Sequence, residues 1–272
     1  MEDKAVKYKI GDVAKLLGIT PEAIRFYEEQ GIISPTKIKS SGYRYYDVWD
    51  IHVLIRARAY RQYGYSLSEA AELINHYAVP EIVSSLSQKE ADIEKAITWN
   101  LNLLKHIRQM QSCVTQAAAD VDKYRLDYRP PMYRFQAQNG YELLTDSGKR
   151  QLYNSWIEKV PFVFPSFLFE RSTFTTGDPR FSYGYGVDEE YADFLDIHQS
   201  DDVDFFPSCL CVYTTLVTHS DIVLTPQSLT PTIDYMRSQG YKLSGDIVSR
   251  VVLMNKIADE YFAWNQLWLP IE

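Results

Sequence analysis

The sequence predicts an α+β protein in three parts, and three patterns predict it. Residues 10–77 contain short helical segments around one turn-rich break. The next stretch, 80–125, has no Gly and carries apolar residues at heptad spacing after Pro80. The rest of the chain shows strand and helix patterns twice in the same order, β-α-β-β. We therefore expect a helical head, one long helix and a duplicated C-terminal domain.

Composition favours a folded, reduced protein. The 272 residues suffice for about two domains, and 46% apolar with 24% charged residues excludes a disordered chain. No apolar run reaches the roughly 18 residues of a membrane span, and the first ten residues lack a signal-peptide core. Three cysteines cannot form a disulfide framework. We expect a cytoplasmic protein with no membrane partner.

The head begins with two helices joined by a tight turn. Apolar residues of 10–17 share one helix face, and Gly18 is placed to end that helix. Thr20 then serves as N-cap of a second helix with Pro21 at its first position. A helix, a tight turn and a helix within about 20 residues are typical of a helix-turn-helix.

A β-hairpin wing follows the second helix. Residues 34–46 have a turn signal, Ser41-Gly42, between two stretches that can be extended. The hairpin carries Lys37, Lys39, Arg44 and three tyrosines, which are groups that contact phosphate. Two further helices are predicted, one capped by Asp47 and one opened by the capping box Ser66–Glu69.

The charge distribution separates the head from the rest of the chain. Residues 4–63 hold 11 Lys/Arg against 6 Asp/Glu, a net charge of +5. Residues 129–272 hold 11 against 19, a net charge of −8. The overall net charge of −8 therefore conceals a basic head, and a basic head favours a nucleic-acid partner.

The motifs of the head occur in a fixed order and nearly without gaps over residues 8–77. They are Ile10–Ala14, Ile24–Glu28, Gly31–Ile33, Gly42–Tyr45 and Gly64–Leu67. In this order they resemble the MerR family of transcription regulators. The resemblance implies a winged helix-turn-helix that binds double-stranded promoter DNA where RNA polymerase also binds.

The resemblance also implies the residues that contact DNA. They are Thr20, Arg25, Tyr27, Lys37, Lys39, Tyr43, Arg44 and Arg61. Phe26 stands where the family usually has Tyr, and Lys37 where it usually has Arg. Ile24, Phe26 and Trp49 are expected to pack in the small core of the head. Of the arginines after Trp49, Arg61 is the best candidate for a DNA contact.

The long helix carries a coiled-coil pattern. Apolar residues recur every seven positions in two series, with polar interruptions at Asn100 and a few other positions. The series are Leu86, Ile93, Asn100, Ile107, Val114 and Val121, and Val83, Glu90, Ile97, Leu104, Gln111 and Ala118. The alternative is packing of this helix against the C-terminal domain of its own chain. The resemblance implies an antiparallel homodimer through it.

No metal or cofactor is expected. Relatives that sense metals carry cysteine ligands at the start of the dimer helix, and the residues around Val79 include none. Cys209 and Cys211 share one face of a predicted strand but have no third ligand nearby in the sequence. Cys113 is interpreted as a buried small residue of the helix.

The C-terminal domain repeats one unit. A linker at 126–131 precedes it. The first half has a strand over 133–143, a helix opened by Asp146 and two strands at 166–174 and 180–187. The second half has a strand over 210–218, a helix over 230–239 and two strands at 247–254 and 261–269. We expect a mostly antiparallel sheet with helices on one face.

This part is similar to the GyrI-like effector-binding domain. The segments that carry the similarity are Tyr183–Val187, Tyr235–Gly245 and Leu267–Ile271. The similarity implies a small-molecule effector, aromatic or lipophilic, held between the two halves against aromatic rings. Relatives often carry a glutamate four residues after a glycine like Gly245, and here that residue is Ser249. This departure argues against the usual preference for cations, and a cationic effector stays open as an alternative.

Composition independently predicts an aromatic pocket, because 24 of the 38 aromatic residues lie in 129–272. The alternative for each ring is a place in the core. The predicted ligand-binding residues are Tyr141, Phe167, Glu170, Tyr183, Tyr185, Tyr213, Ser249, Tyr261, Trp264 and Trp268.

No hydrolase, metalloprotease or nucleotide-binding motif occurs, so an enzyme is not expected. The sequence predicts a dimeric regulator that binds a pseudo-palindromic promoter and distorts it when an effector binds. The alternative is a small-molecule-binding or hydrolytic GyrI-like protein with a vestigial head. The expected domains are 1–79 for DNA binding, 80–125 for dimerisation, the linker, and 132–272 for the effector.

Overall fold

The helices and strands follow the predicted order in the computed structural model, which describes residues 6–38, 42–140, 142–143, 147–176, 180–219 and 224–272. Lys39, Ser41, Tyr141 and Asp146, which the sequence singled out, lie outside the described residues. The chain divides into two units, one up to Thr98 and one from Trp99. No helix in the described ranges is both long and apolar enough to cross a bilayer.

The helices α1 to α9 span Ile10–Leu17, Pro21–Glu29, Val48–Gln62, Leu67–Asn75, Val79–Ala119, Ser147–Ile157, Thr173–Thr176, Glu189–Ala192 and Thr230–Ser238, and a 3-10 helix spans Pro226–Leu229. The strands β1 to β12 span Tyr8–Lys9, Thr36–Lys37, Arg44–Tyr46, Arg125–Arg129, Met132–Asn139, Glu142–Leu143, Val163–Phe169, Ser182–Asp188, Val203–Phe206, Cys209–His219, Ile247–Ile257 and Glu260–Pro270.

The helix-turn-helix forms as its capping residues predict. Gly18 ends α1 with a φ of 62°, in the left-handed region that glycine adopts without steric cost. Thr20 caps α2, because its hydroxyl accepts a hydrogen bond from Ala23 N at 3.2 Å. Ser66 and Glu69 form the predicted capping box of α4. These signals confirm the head's helices.

The wing is part of a three-stranded sheet in the order β1-β3-β2. Strands β2 and β3 pair antiparallel, with Lys37 opposite Arg44, as the hairpin pattern predicts. Strand β1 pairs Tyr8 with Tyr46 along the other edge of β3. The sequence missed β1, because two residues give no periodic signal.

The core of the head contains Ile24, which is fully buried. The prediction that Phe26 and Trp49 join it is wrong, since they are 52% and 77% exposed. Each lies two positions along a helix from a buried residue, Phe26 from Ile24 and Trp49 from Ile51. Two positions turn a side chain by about 200° around the helix axis, so both rings lie on the side away from the core.

The long helix α5 ends at Ala119, short of the predicted residue 125. Asp122 adopts a φ of 55°, and Lys123 Nζ donates to the terminal carbonyl of Ala119 at 2.7 Å. Val121 is therefore outside the helix, and it forms a bridge with Thr215 instead of a heptad contact. The predicted linker is also wrong, because 126–129 belong to β4, which pairs with β10.

The second half of α5 packs on one part of the C-terminal domain. The Trp99 ring lies 5.2 Å from Phe162, and the His106 ring lies 5.6 Å from Tyr191. The heptad residues Ile97 and Leu104 remain 52% and 46% exposed. Ile97 and Leu104 thus lie largely outside the intramolecular packing, whereas the later heptad residues Ile107, Gln111 and Val114 line a cavity between α5 and the sheet.

The element order of the C-terminal domain confirms the prediction of a duplicated β-α-β-β unit. One half contributes β5, α6, β7 and β8, and the other contributes β10, α9, β11 and β12. The sheet order is β4-β10-β12-β11-β7-β8-β5-β6, with β9 beside β5. The halves meet where β7 and β11 pair antiparallel. Strand parity places Phe169 and Ile247 on the face covered by α9 and Val248 on the opposite face.

Candidate nucleic-acid interface and ligand pocket

A cleft of about 530 Å³ lies between the second helix of the helix-turn-helix and the wing. Its lining brings together three predicted DNA-contacting residues, Arg25, Lys37 and Arg44, with Glu28 and Glu29. The lining therefore carries three cationic and two acidic side chains.

Glu28 is the centre of this cleft. Its carboxylate accepts two hydrogen bonds from Arg44 Nε at 2.9 and 3.0 Å, and Lys37 Nζ lies 3.1 Å from it. Burial raises the pKa of Glu28, but the bonds and charges of Arg44 and Lys37 outweigh it and hold the pKa below the usual 4.5. One residue of α2 thus binds both strands of the wing.

The other predicted DNA-contacting residues have different surroundings. The Arg25 guanidinium lies 3.8 Å from the Glu22 carboxylate at the surface. Tyr27 packs against the core of the head, whereas Tyr43 in the wing is 65% exposed. Arg61 donates to the backbone carbonyl of Tyr65 and so stabilises the turn between α3 and α4.

Sequence reasoning missed three features of the head. Glu28 was counted only as part of a motif, although it orders the cleft. Phe26 and Trp49 were assigned to the core and are exposed. The helical angle between each ring and its buried neighbour is a signal that predicts this exposure.

The two halves of the C-terminal sheet are joined by a short run of backbone pairing between β7 and β11, and the two strands diverge beyond it. Strands β7 and β11 pair only at Phe169–Ile247 and Leu168–Val248. At the next position the hydroxyl of Ser249, which is fully buried, accepts a hydrogen bond from Phe167 N at 2.8 Å. A side chain thus replaces the backbone bond where the strands diverge.

An aromatic cavity of about 200 Å³ lies beside this point. Its lining includes three predicted ligand-binding residues, Phe167, Tyr183 and Tyr261. The Phe167 and Tyr183 rings meet edge to face at 5.1 Å, and burial raises the pKa of Tyr183. Strands from both halves contribute side chains to its lining.

Other predicted ligand-binding residues lie elsewhere. Tyr185 stacks on Phe135 in the core below α6, and Trp264 is half-buried, 6.3 Å from Phe262. Tyr213 and Trp268 are buried together on the opposite face of the sheet. Glu170 is exposed and lines a separate polar cleft. The alternative of a place in the core therefore fits Tyr185, Tyr213 and Trp268.

The glycines of the Tyr183–Val187 motif have a steric role. A Cβ on Gly184 would lie 2.0 Å from the carbonyl oxygen of Phe135, and one on Gly186 would lie 2.5 Å from the Phe164 ring. Larger residues would push β8 from its neighbours. The alternation of tyrosine and glycine thus puts rings on one face and close packing on the other.

The cysteines do not form a metal centre within the residues that the structure describes, where no group of three or more His, Cys, Asp or Glu side chains could hold an ion. The sulfurs of Cys209 and Cys211 lie 3.6 Å apart. Burial raises the pKa of Cys211 to about 12, which favours its thiol form at neutral pH.

Comparisons with known proteins agree with the geometry of the head. The family model described as MerR HTH family regulatory protein matches residues 8–77. The HTH-type transcriptional regulator CueR of Escherichia coli O157:H7 is 37% identical over 110 residues, which cover 40% of this chain and 78% of that protein.

The chain belongs to the MerR family.

Two further comparisons concern another regulator and a solved DNA complex. The multidrug-efflux transporter 2 regulator of Bacillus subtilis strain 168 is 28% identical over 121 residues, 44% of each chain. A chain from the cryo-EM structure of the EcmrR–DNA complex in EcmrR-RPo covers 97% of this chain and 99% of its own length, with 13% identity and a TM-score of 0.39. The named relatives of this MerR-family chain are transcriptional regulators and not enzymes.

Proposed function

We propose that this chain is an effector-responsive transcription regulator that binds a pseudo-palindromic promoter as a homodimer. We assign DNA binding to residues 1–79, dimerisation to the helix that begins at residue 80 and effector binding to 132–272. Effector binding distorts the promoter DNA and realigns it for RNA polymerase, so the readout depends on DNA shape as well as base contacts.

The basic cleft of the head carries the DNA-binding part of the proposal. Arg25, Lys37 and Arg44 line a single cleft, and Glu28 holds the wing against α2. Phosphate backbones bind such cationic sites with strong dependence on salt. The exposed ring of Tyr43 supplies a further group at the wing.

The apolar side of α5 supports dimerisation. Val83, Ile93, Ile97 and Leu104 are between 46% and 57% exposed, although they fit the heptad pattern. Exposed apolar residues at this spacing are typical of a coiled-coil seam. A two-fold dimer presents two heads to two half-sites of a palindrome.

The aromatic cavity supports the effector-binding part. It lies where the two halves diverge, its lining is mainly apolar, and no acidic residue is among its lining side chains in the described ranges. Aromatic rings bind flat or lipophilic molecules through contact area and attract cations only weakly. The effector class we propose is therefore aromatic or lipophilic.

A titration of fluorescently labelled duplex DNA from upstream of the protein's own gene tests this function. We expect anisotropy to rise with protein at low salt and the affinity to fall steeply as salt increases. A scrambled duplex of equal length measures non-specific binding. Equal affinity for both duplexes, or an affinity that does not change with salt, would refute DNA regulation by this head.

A further inference from the structure

A cavity of the C-terminal unit lies against α5, and its lining differs from that of the predicted effector pocket. Its volume is about 670 Å³. One wall is formed by α5 residues between His106 and Thr115, and the other by the diverging strands β7 and β11. It shares Pro165 and Val251 with the aromatic cavity, whereas Ser249 and Tyr183 are not among its lining residues.

Arg250 is the distinctive residue of this cavity. It is 93% buried, since its exposure is 7%, and its guanidinium carbon lies 4.2 Å from the centre of the Phe164 ring. One terminal nitrogen is paired with the Asp188 carboxylate. Phe164 and Asp188 line the same cavity, so the guanidinium is held at the cavity wall.

One donor of this guanidinium has no acceptor. Arg250 Nε is buried and has no hydrogen-bond partner among the residues that the structure describes. A buried N–H without a partner loses its hydration without compensation, and an acceptor that reaches it recovers a favourable interaction. The cavity therefore presents an unsatisfied donor beside a mainly apolar surface.

The charged side chains around the cavity determine which net charge a ligand can carry. Within the described lining, Arg250 and Asp188 are the charged side chains, and they neutralise each other. Burial lowers the pKa of His106, which lines the cavity as well, so its ring is neutral at pH 7. An anionic group would approach the Asp188 carboxylate and a cationic group would approach the Arg250 guanidinium, so one member of the ion pair disfavours each.

We propose that this cavity binds a neutral, mainly apolar molecule with one carbonyl-type oxygen, and that Arg250 Nε donates to that oxygen. The apolar body of the ligand packs between Phe164, Val251 and the Met110 side of α5. This is a site separate from the effector pocket proposed above, and it does not depend on DNA binding. Its ligand contacts the helix that carries the heptad residues.

Benzophenone and 1,1-diphenylethylene test the site, because they have the same shape and differ in a carbonyl oxygen. Calorimetry on the full chain measures the affinity of each. In Arg250→Lys the charge opposite Asp188 remains and the Nε donor is lost. We expect the ratio of benzophenone to diphenylethylene affinity to fall about tenfold in this variant, the effect of one hydrogen bond to a charged donor.

Two further variants locate the binding. Met110→Trp fills the cavity from the α5 side, and we expect it to abolish binding of both probes. Met254→Ala changes the aromatic cavity only, so benzophenone affinity should remain within about twofold. Benzophenone also crosslinks under ultraviolet light, and the label should map to the α5 segment around Met110, which lines this cavity and not the aromatic one.

Three results would overturn the proposal. The first is an affinity ratio that Arg250→Lys leaves unchanged. The second is a photolabel on residues that line the aromatic cavity and not this one, such as Thr218 or Tyr261. The third is no binding of either probe, which is the result expected if a second copy of the chain fills the cavity. A normal melting temperature of each variant separates these results from failure to fold.

Discussion

Glu28 determines how the wing is held against the second helix. Its carboxylate binds Arg44 and Lys37, which lie opposite each other on the two wing strands. A single acidic residue thus orders two cationic residues, and it leaves Arg25 paired at the surface with Glu22. The geometry favours a rigid wing whose cationic side chains have fixed positions before DNA binds.

Arg44→Ala is expected to weaken binding to all DNA sequences alike. A phosphate contact carries no base information, so specific and scrambled duplexes should lose similar affinity, and the salt slope should fall by about one. Anisotropy titrations between low and physiological salt measure both quantities. Arg237→Ala, a surface arginine paired with Asp234 in α9, is the matched control. An unchanged slope would exclude Arg44 from the phosphate contacts.

His106 makes stability depend on pH near neutrality. Burial against Phe162 and Tyr191 lowers its pKa below the usual 6.5, although Asp188 and Glu190 act in the opposite direction. A base with a lowered pKa in the folded state binds its proton more readily when unfolded. Stability is therefore greatest above pH 6.5 and falls as the pH drops below it.

The melting temperature between pH 7 and pH 5.5 checks this behaviour. We expect a clear fall in the native protein and a smaller fall in His106→Phe, which cannot titrate. His198 is exposed, so His198→Phe should keep the native pH dependence. A His106→Phe variant with the native pH dependence would show that other groups cause it.

Ser249 links the two halves of the C-terminal sheet. Its buried hydroxyl accepts from Phe167 N at 2.8 Å, on the face that bears the aromatic cavity. Glu170 brings no carboxylate to this cavity, because it lines a different cleft. Both observations favour a pocket for neutral molecules.

Ser249→Glu is expected to shift ligand preference toward cations. A carboxylate at this buried position is stabilised by a cationic ligand and destabilised without one. Calorimetry with benzyltrimethylammonium and its neutral isostere neopentylbenzene measures the preference. Ser249→Ala, which removes the bond to Phe167 at a cost of about 1 kcal/mol in stability, is the control. A native protein that already binds benzyltrimethylammonium much more tightly than neopentylbenzene would contradict this prediction.

The heptad side of α5 predicts how the dimer forms. Leu104 is 46% exposed, and a carboxylate at a coiled-coil seam would have to be desolvated. Leu104→Asp should weaken dimerisation at least tenfold, as the loss of buried apolar area and the added charge both oppose association. Sedimentation velocity measures the monomer fraction. Lys95→Asp, on the opposite side of the helix, should remain dimeric, and an undisturbed Leu104→Asp dimer would place the interface elsewhere.

Elements with a strong local signal were predictable from the sequence. Helix α9 and the β11–β12 hairpin lie within a few residues of their predicted bounds, because Pro231 and Gly240 mark the ends of the helix and β-branched and aromatic residues mark the strands. Strands β1, β4 and β9 were missed, since each is short and is fixed by its neighbour in the sheet. The end of α5 depends on the turn at Asp122, which no sequence motif marks.

The sites of the whole molecule were predictable to different degrees. The residues that line the cleft of the head lie close together in the sequence. The motifs of the head therefore group Arg25, Lys37 and Arg44, which line this one cleft. The aromatic pocket was found only in part, because strand parity does not say which face of a sheet is covered. The cavity beside Arg250 was missed, since it arises when α5 packs on strands that are distant in the sequence.

Hydroxyl-radical footprinting on the DNA upstream of the protein's own gene tests the central claim most directly. A dimer with two heads should protect two half-sites related by two-fold symmetry on one face of the duplex. Protection should weaken together at both half-sites as salt rises, and it should be lost in Leu104→Asp at concentrations where the native protein protects. Protection of a single half-site that Leu104→Asp retains, or no protection at low salt, would contradict a dimeric DNA-binding regulator.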